Sequence, residues 1–294
     1  MDDELFGMFS ALSNDTEKVS RDRDIVRAPF GYPGGKDRSV NQILDILPVR
    51  EKWVDCCGGS GIITLNRQRS SILDVYNDRW SGVVAFFRCL RDENKLERLI
   101  DQIHLTMHAR EEFVYAKANY DNPNLDDVER ANLFYQMIIQ SFSTLGRNWA
   151  RSLNTRMSFK RTIDIPHWKQ IHARMAECQI ENLDVNQCLA DYDSEGTVFY
   201  IDPPYPYTDT GIYKHKFNDD AHREMLNRVF TKVGYVAVSS YKNDIYDKYP
   251  WDDVHVWEVP VTIDSRSSTE GGNREYKGGK IARAFECLYI KEES

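Results

Sequence analysis

The chain has 294 residues, 41% of them hydrophobic, enough to bury a full core as one large domain with an insertion or as two domains. Its net charge of −8 excludes a protein coated in nucleic acid by bulk electrostatics and leaves any such contact to a local basic surface. No apolar run reaches bilayer length and the start lacks the basic-then-apolar order of a secretory signal, so a cytoplasmic protein with no membrane partner is expected.

The first 26 residues are polar, with Asp2, Asp3, Glu4, Asp15, Glu17, Asp22 and Asp24 among them, and read as a mobile tail. Val40, Ile43, Leu44 and Leu47 then recur at helical spacing until Pro48 closes the run. "KWVDCCGGSG" reads as a strand entering a glycine-rich turn, "IITLNRQ" as the helix after it, "SILDVYND" as a second strand and "SGVVAFFRCLRD" as a second helix. That alternation predicts a parallel α/β sheet with crossover helices. From 93 to 176 the pattern is helical, broken at "DNPNLDD" and across a basic stretch. Strand-like runs return at "TVFYID", "GYVAVSS", "VHVWEVPV" and "ARAFECLYI", with the amphipathic helix "DDAHREMLNRVFTKV" between the first two.

The chemistry is expected at the strand ends. Asp55 and Gly58, Gly59 and Gly61 lie where a first strand meets a helix, so backbone can approach a ligand that faces helix amides. Asp78 follows Asp55 by 23 residues at the end of the next strand, and an acid about 20 residues on in such a unit commonly binds a ribose. The glycine spacing is not the three-glycine pattern of dinucleotide folds and carries no phosphate-loop lysine, which favours an adenosine cofactor without a pyrophosphate. Asp202-Pro203-Pro204-Tyr205 ends the third apolar run with a stiffened exit, because proline fixes its own φ and restrains its predecessor. A strip from Arg147 to Arg161 has five basic side chains and no acid, interleaved with Trp149 and Phe159. It reads as a phosphate-contacting strip or as a solvated loop. The six cysteines include no CxxC pair and the seven histidines no ligand spacing, so reduced thiols and no metal are expected.

In this order, "PFGYPGGK" at 29–36, "DCCGGSG" at 55–61, "YNDRWSGVVAFFRCLRD" at 76–92 and "YIDPPY" at 200–205 resemble the Dam-type DNA adenine-N6 methyltransferases, from about Pro29 to Ile290. The resemblance implies a Rossmann-like methyltransferase sheet with helices on both faces, formed by 27–92 and 177–294. It also implies a helical target-recognition insertion at 93–176. It implies S-adenosylmethionine as cofactor, contacted by Tyr32, Lys36, Asp55, Gly58, Gly59, Gly61, Asp78 and Asp202, with Asp78 at the ribose. Double-stranded DNA is the implied partner, in a bacterium or its phage, for restriction-modification or phage protection. Asp202, Pro203 and Tyr205 are the implied catalytic residues. The carboxylate and the Pro203 carbonyl would accept the hydrogens of a flipped adenine's amino group, while Tyr205 stacks on the base. Arg147, Asn148, Arg151, Asn154, Arg156, Lys160 and Arg161 are the implied DNA contacts.

Cys56-Cys57 departs from the family, which has Pro-Phe there, and loosens the cofactor wall unless another aromatic such as Tyr32 fills the gap. "PYTDTGIYKHKF" is a candidate lid or a surface loop. "SRSSTEGGNREYKGGKIAR", with Arg266, Arg274, Lys277, Lys280 and Arg283, is a loop near DNA or an ordinary hairpin connection. Two alternatives stay open, a catalytically inactive DNA-binding protein of the same ancestry and the same chemistry on RNA. Cytosine N4 is disfavoured, since that motif more often begins with serine.

Overall fold

The computed structural model describes residues 24–151, 164–207, 217–260 and 283–293. In chain order these form α1 (Val40–Ile46), β1 (Lys52–Asp55), α2 (Ile62–Asn66), β2 (Leu73–Asn77), α3 (Ser81–Arg91), α4 (Glu93–Leu105), α5 (Arg110–Asn119), α6 (Asp127–Ile139), α7 (Ile165–Met175), β3 (Gln179–Glu181), α8 (Val185–Asp191), β4 (Thr197–Ile201), α9 (Asp219–Val229), β5 (Tyr235–Tyr241), β6 (Asp253–Pro260) and β7 (Arg283–Lys291). The strands pair in the order β3-β2-β1-β4-β5-β7-β6. The first five run parallel, and β7 is antiparallel to both of its neighbours.

Every residue of β4 is buried, as a central parallel strand covered on both faces requires. The period of two then decides which layer each side chain meets. Trp53, Val198, Tyr200, Ala237, Leu288 and Ile290 pack with α1 and α2, whereas Val54, Phe199, Ile201, Val236, Val238, Cys287 and Tyr289 pack with α8 and α9. Helices therefore cover both faces, as the sequence predicts.

The helical segment after α3 does not build a core of its own. Phe134, Tyr135 and Trp168 join Phe86 and Phe87 of α3, Tyr76 of β2 and Phe30 in one cluster. Burying each such ring contributes about 1.5–3 kcal/mol, so this junction holds the insertion firmly on the sheet. At the start of α6, Asp126 and Glu129 form a reciprocal capping box that sets where the helix begins after the predicted break.

Chain order reverses across β1 and β4, and Asp55 lies opposite Tyr200 in that ladder. The crevice beyond their carboxyl ends is where open α/β sheets bind ligands. Asp55 and Asp202 are thus delivered to one place by topology. Among the described residues, no helix is long and apolar enough to cross a membrane.

Candidate active site

The glycine loop after β1 is shaped by what lies against it. A Cβ added to Gly58 would sit 2.2 Å from the Tyr76 ring, and one added to Gly59, whose φ is +51°, would sit 2.8 Å from the Tyr32 ring. Only glycine fits either position. The loop is pinned by the Tyr76 hydroxyl, which donates to the Gly59 carbonyl at 2.7 Å, and by the Gly59 N–H, which donates to Asp78 Oδ2 at 2.9 Å. Asp78 Oδ1 accepts from the Trp80 N–H at 2.7 Å. Each oxygen keeps a further lone pair for a ligand hydroxyl. Burial pushes Asp78 up to about 6, opposed by those two backbone donors.

Asp55 is buried, and its Oδ2 accepts from the Thr64 hydroxyl at 2.7 Å. Thr64 accepts in turn from the Trp53 indole at 3.0 Å. Oδ1 of Asp55 has no hydrogen-bond partner among the described residues. Burial raises this carboxyl to about 7, with Thr64 opposing and Asp202 and Asp78 adding to the shift. A buried acceptor with an unused lone pair is costly unless a donor meets it.

Tyr32 leans on the glycine loop and packs 6.0 Å from Trp80, centroid to centroid. Four residues on, the buried Lys36 donates to Asp202 Oδ2 at 2.6 Å and to the Gly34 carbonyl at 3.0 Å. Its ammonium lies 3.4 Å from Glu286 and 4.9 Å from the centre of the Tyr205 ring. Tyr205 meets Tyr241 edge-on at 4.7 Å, and its hydroxyl donates to Glu286 at 2.8 Å. Burial pushes Asp202 above the usual carboxylate range, with Lys36 opposing. Its Oδ1 is buried and has no hydrogen-bond partner among the described residues. Lys36, remote in sequence from Asp202 and Tyr205, therefore joins them in one cluster beside the glycine loop.

Two members of this neighbourhood escape the sequence reading. Glu286 is one, placed in the last strand with no motif around it. His222 of α9 is the other, fully buried beneath the Asp-Pro-Pro-Tyr turn. Its Nδ1 hydrogen-bonds the Tyr246 hydroxyl at 3.0 Å, and burial pushes it down to about 4, opposed by the Pro204 backbone. A neutral ring is thus wedged under the turn, and its only sequence signal is a histidine on the apolar stripe of a helix.

Cys56 is buried with its sulfur 3.8 Å from Cys188, and Cys57 is half-buried at the loop. Burial pushes Cys57 well up, with nearby Asp78, Asp202 and Asp55 adding to it, so the thiol stays protonated and a weak nucleophile. No His, Cys, Asp or Glu group among the described residues is arranged to hold a metal.

The start of the basic strip folds back on the end of α6. The Phe142 N–H donates to the Asn148 carbonyl at 2.8 Å and the Ala150 N–H to Gln140 at 2.7 Å, closing a turn in which Ser143 and Thr144 both have φ of 55°. Thr144 lies so close to Gly31 that a Cβ there would be 2.7 Å from its hydroxyl. The turn therefore abuts the segment that carries Tyr32 and Lys36. Lys117 donates to the Arg147 carbonyl at 2.6 Å, and the Trp149 ring is met by Arg110 at 4.8 Å and stacked by His108 at 5.4 Å, both to its centroid. Asn148 and Arg151 are exposed. Asn154, Arg156, Lys160 and Arg161 lie outside the described residues, as do most of the candidate lid and of the glycine-rich segment before β7.

Residues 32–262 match the model of the D12 class N6 adenine-specific DNA methyltransferases. The chain is 25% identical over 202 residues to Modification methylase LlaI of Lactococcus lactis subsp. lactis, covering 63% of this chain and 30% of that protein. It is 24% identical over 221 residues to Modification methylase StsI of Streptococcus sanguinis, covering 69% and 32%. It is 23% identical over 236 residues to the DNA N-6-adenine-methyltransferase of Escherichia phage P1, covering 74% and 31%. The matched segments span about a third of the length of these curated relatives.

Proposed function

The chain belongs to the D12 class N6 adenine-specific DNA methyltransferases, and on that premise we propose that it transfers a methyl group from S-adenosylmethionine to adenine N6 in double-stranded DNA. The single observation that carries this reading is the half-buried Asp202, with one oxygen taken by Lys36 and the other, itself buried, without a hydrogen-bond partner among the described residues. A carboxylate oxygen held in that state is an acceptor awaiting a donor, and an exocyclic amino group is a donor of the right kind.

The residues present fit the cofactor. Gly58 and Gly59 let the loop lie against the Tyr76 and Tyr32 rings, Asp55 Oδ1 has no hydrogen-bond partner among the described residues, and Asp78 can take ribose hydroxyls beside the loop. S-adenosylmethionine, when bound, supplies a methyl group on a positively charged sulfur. The chain supplies alignment. Asp202 Oδ1 and the Pro203 carbonyl hold the two N6 hydrogens, which localises a lone pair otherwise delocalised into the ring, and Oδ1 holds the proton that N6 releases. The Pro203-Pro204 turn, backed by His222, keeps these acceptors from relaxing away. Lys36 lies 4.9 Å from the centre of the Tyr205 ring and Tyr241 meets it edge-on, which fixes the ring on which the base is proposed to stack.

Reaching N6 in a duplex requires flipping the base, at a cost of a few kcal/mol. Stacking on Tyr205 offsets about 1–3 kcal/mol of that. The helical insertion at 93–176 is the proposed target-recognition part, with Arg147, Asn148 and Arg151 at its DNA-facing turn and Asn154, Arg156, Lys160 and Arg161 continuing the strip.

The test incubates the protein with isotopically labelled S-adenosylmethionine and mixed-sequence duplex DNA and digests the product to nucleosides. Labelled N6-methyladenine supports the reading. Label in RNA alone, or in no nucleic acid while cofactor still binds, sinks it.

Cofactor binding is also expected to depend on pH. The fold holds protons on Asp55 up to about 7 and on Asp78 up to about 6. A cationic ligand favours the ionised forms, so binding near pH 6 releases protons and tightens as pH rises toward 7.5. Calorimetry in two buffers of different ionisation enthalpy reads that release. Binding that is pH-independent and proton-neutral would remove both carboxylates from the cofactor site.

A further inference from the structure

We propose that Glu286 is a positioning residue for this reaction, its carboxylate fixing Tyr205 and Lys36 against Asp202. The inference rests on the reading of the site as a methyltransferase centre. Glu286 stands on β7, beyond the matched residues 32–262, and is 4% exposed. Two separate segments converge on it. Its Oε1 accepts from the Tyr205 hydroxyl at 2.8 Å and lies 3.4 Å from Lys36 Nζ, and its Oε2 accepts from the Ser39 hydroxyl at 2.9 Å.

Its neighbours in the sheet belong to the same network. Glu286 pairs with Tyr241 on β5, the ring that meets Tyr205 edge-on at 4.7 Å. It pairs with Trp257 on β6, whose indole N–H donates to Ser39 at 3.2 Å. Alternate positions along β7, Ala284, Leu288 and Ile290, are buried and apolar. A carboxylate in that row is not a packing device, because an apolar side chain of similar volume commonly stabilises a core at least as well as a buried ion pair.

Two consequences follow for the chemistry. The hydroxyl anchor removes the freedom of the Tyr205 ring to swing, so the ring stays where the base is proposed to stack. Sharing the ammonium matters as well. With both carboxylates ionised, Lys36 (+1), Asp202 (−1) and Glu286 (−1) sum to one net negative charge. Lys36 is therefore not committed to Asp202 alone, and Asp202 Oδ1 keeps the charge that makes it a strong acceptor.

Wild-type transfer is measured first, so failure of the methyltransferase reading is seen before any variant is made. Glu286→Gln is then expected to lower kcat about 30-fold while KM for S-adenosylmethionine stays within about threefold. The double variant with Tyr205→Phe is expected to be about as slow as the slower single variant, because both disturb the Tyr205–Glu286 contact. A duplex carrying 2-aminopurine at the methylated position, without cofactor, should change its emission by about twofold between wild type and Glu286→Gln as the stacking ring loosens. A kcat within threefold of wild type, multiplicative losses in the double variant, or unchanged emission each overturns the proposal. Should Glu286→Gln not fold, Tyr205→Phe alone decides. It leaves Glu286 paired with Lys36 and Ser39, and it should lower kcat about tenfold at unchanged melting temperature; an unchanged kcat overturns the role.

Discussion

Replacing Asp202 by asparagine is expected to lower the single-turnover rate of the proposed methyl transfer by about a thousandfold, roughly 4 kcal/mol of transition-state stabilisation. The substitution keeps size and shape, so the turn held by Pro203, Pro204 and His222 survives. What changes is the chemistry of the two oxygens. One accepts from Lys36 at 2.6 Å, and the other is buried without a partner among the described residues. An asparagine that offers its carbonyl to Lys36 turns its NH2 toward the N6 hydrogens, donor against donor. One that flips leaves the ammonium facing NH2 instead. Either arrangement loses an acceptor at the atom where positive charge develops, and removing one preorganised contact of that kind typically costs a hundredfold to a thousandfold. Cofactor affinity should fall only a few-fold, since the glycine loop, Asp55 and Asp78 are untouched. The measurement is label transfer under single turnover beside direct cofactor binding. A loss below tenfold would mean that Asp202 is not the acceptor, and a loss of rate matched by an equal loss of cofactor binding would make it a binding group only.

The sheet was readable because β1, β2 and β4 are short apolar runs that stop at Asp55, Asn77-Asp78 and Asp202, and because α1 and α9 carry an apolar stripe at helical spacing. What was not readable is short. β3 has three residues with a single fully buried side chain, and α8 has seven with three, too few for either period to emerge. In the site, Tyr32, Lys36, Asp55, Asp78 and Asp202 were visible because each belongs to a motif at a strand end or turn. Glu286 was not, because a strand buried on both faces reads as a continuous apolar run and the period of two does not say which layer an odd residue meets. The signal was present all the same: one acid inside "AFECLYI" is a buried charge in search of a partner. His222 illustrates the converse, since a histidine on an apolar helix face looks like core, and its place against Tyr246 and the Pro204 backbone shows only in the structure.

Lys36→Met is expected to destabilise the protein by about 3–5 kcal/mol at pH 8, the usual cost of breaking a buried ion pair by removing one member. Methionine fills the space of the lysine stem but leaves Asp202 and Glu286 facing each other without the ammonium. The pH dependence identifies the cause. Burial already raises Asp202 above the ordinary value of 3.8, with Lys36 opposing, so losing Lys36 raises it further. A carboxyl raised in the fold keeps its proton while the unfolded chain releases it. Stability therefore falls as pH climbs from the unfolded value through the folded one, and the fall is larger and extends to higher pH in the variant. The gap between wild type and Lys36→Met should thus be widest at pH 8 and narrow steadily toward pH 5. Denaturant unfolding at four pH values reads it. A gap that does not change with pH would mean that Lys36 stabilises by packing its stem, and the charge cluster would then lose its role as the element that holds Asp202 ready.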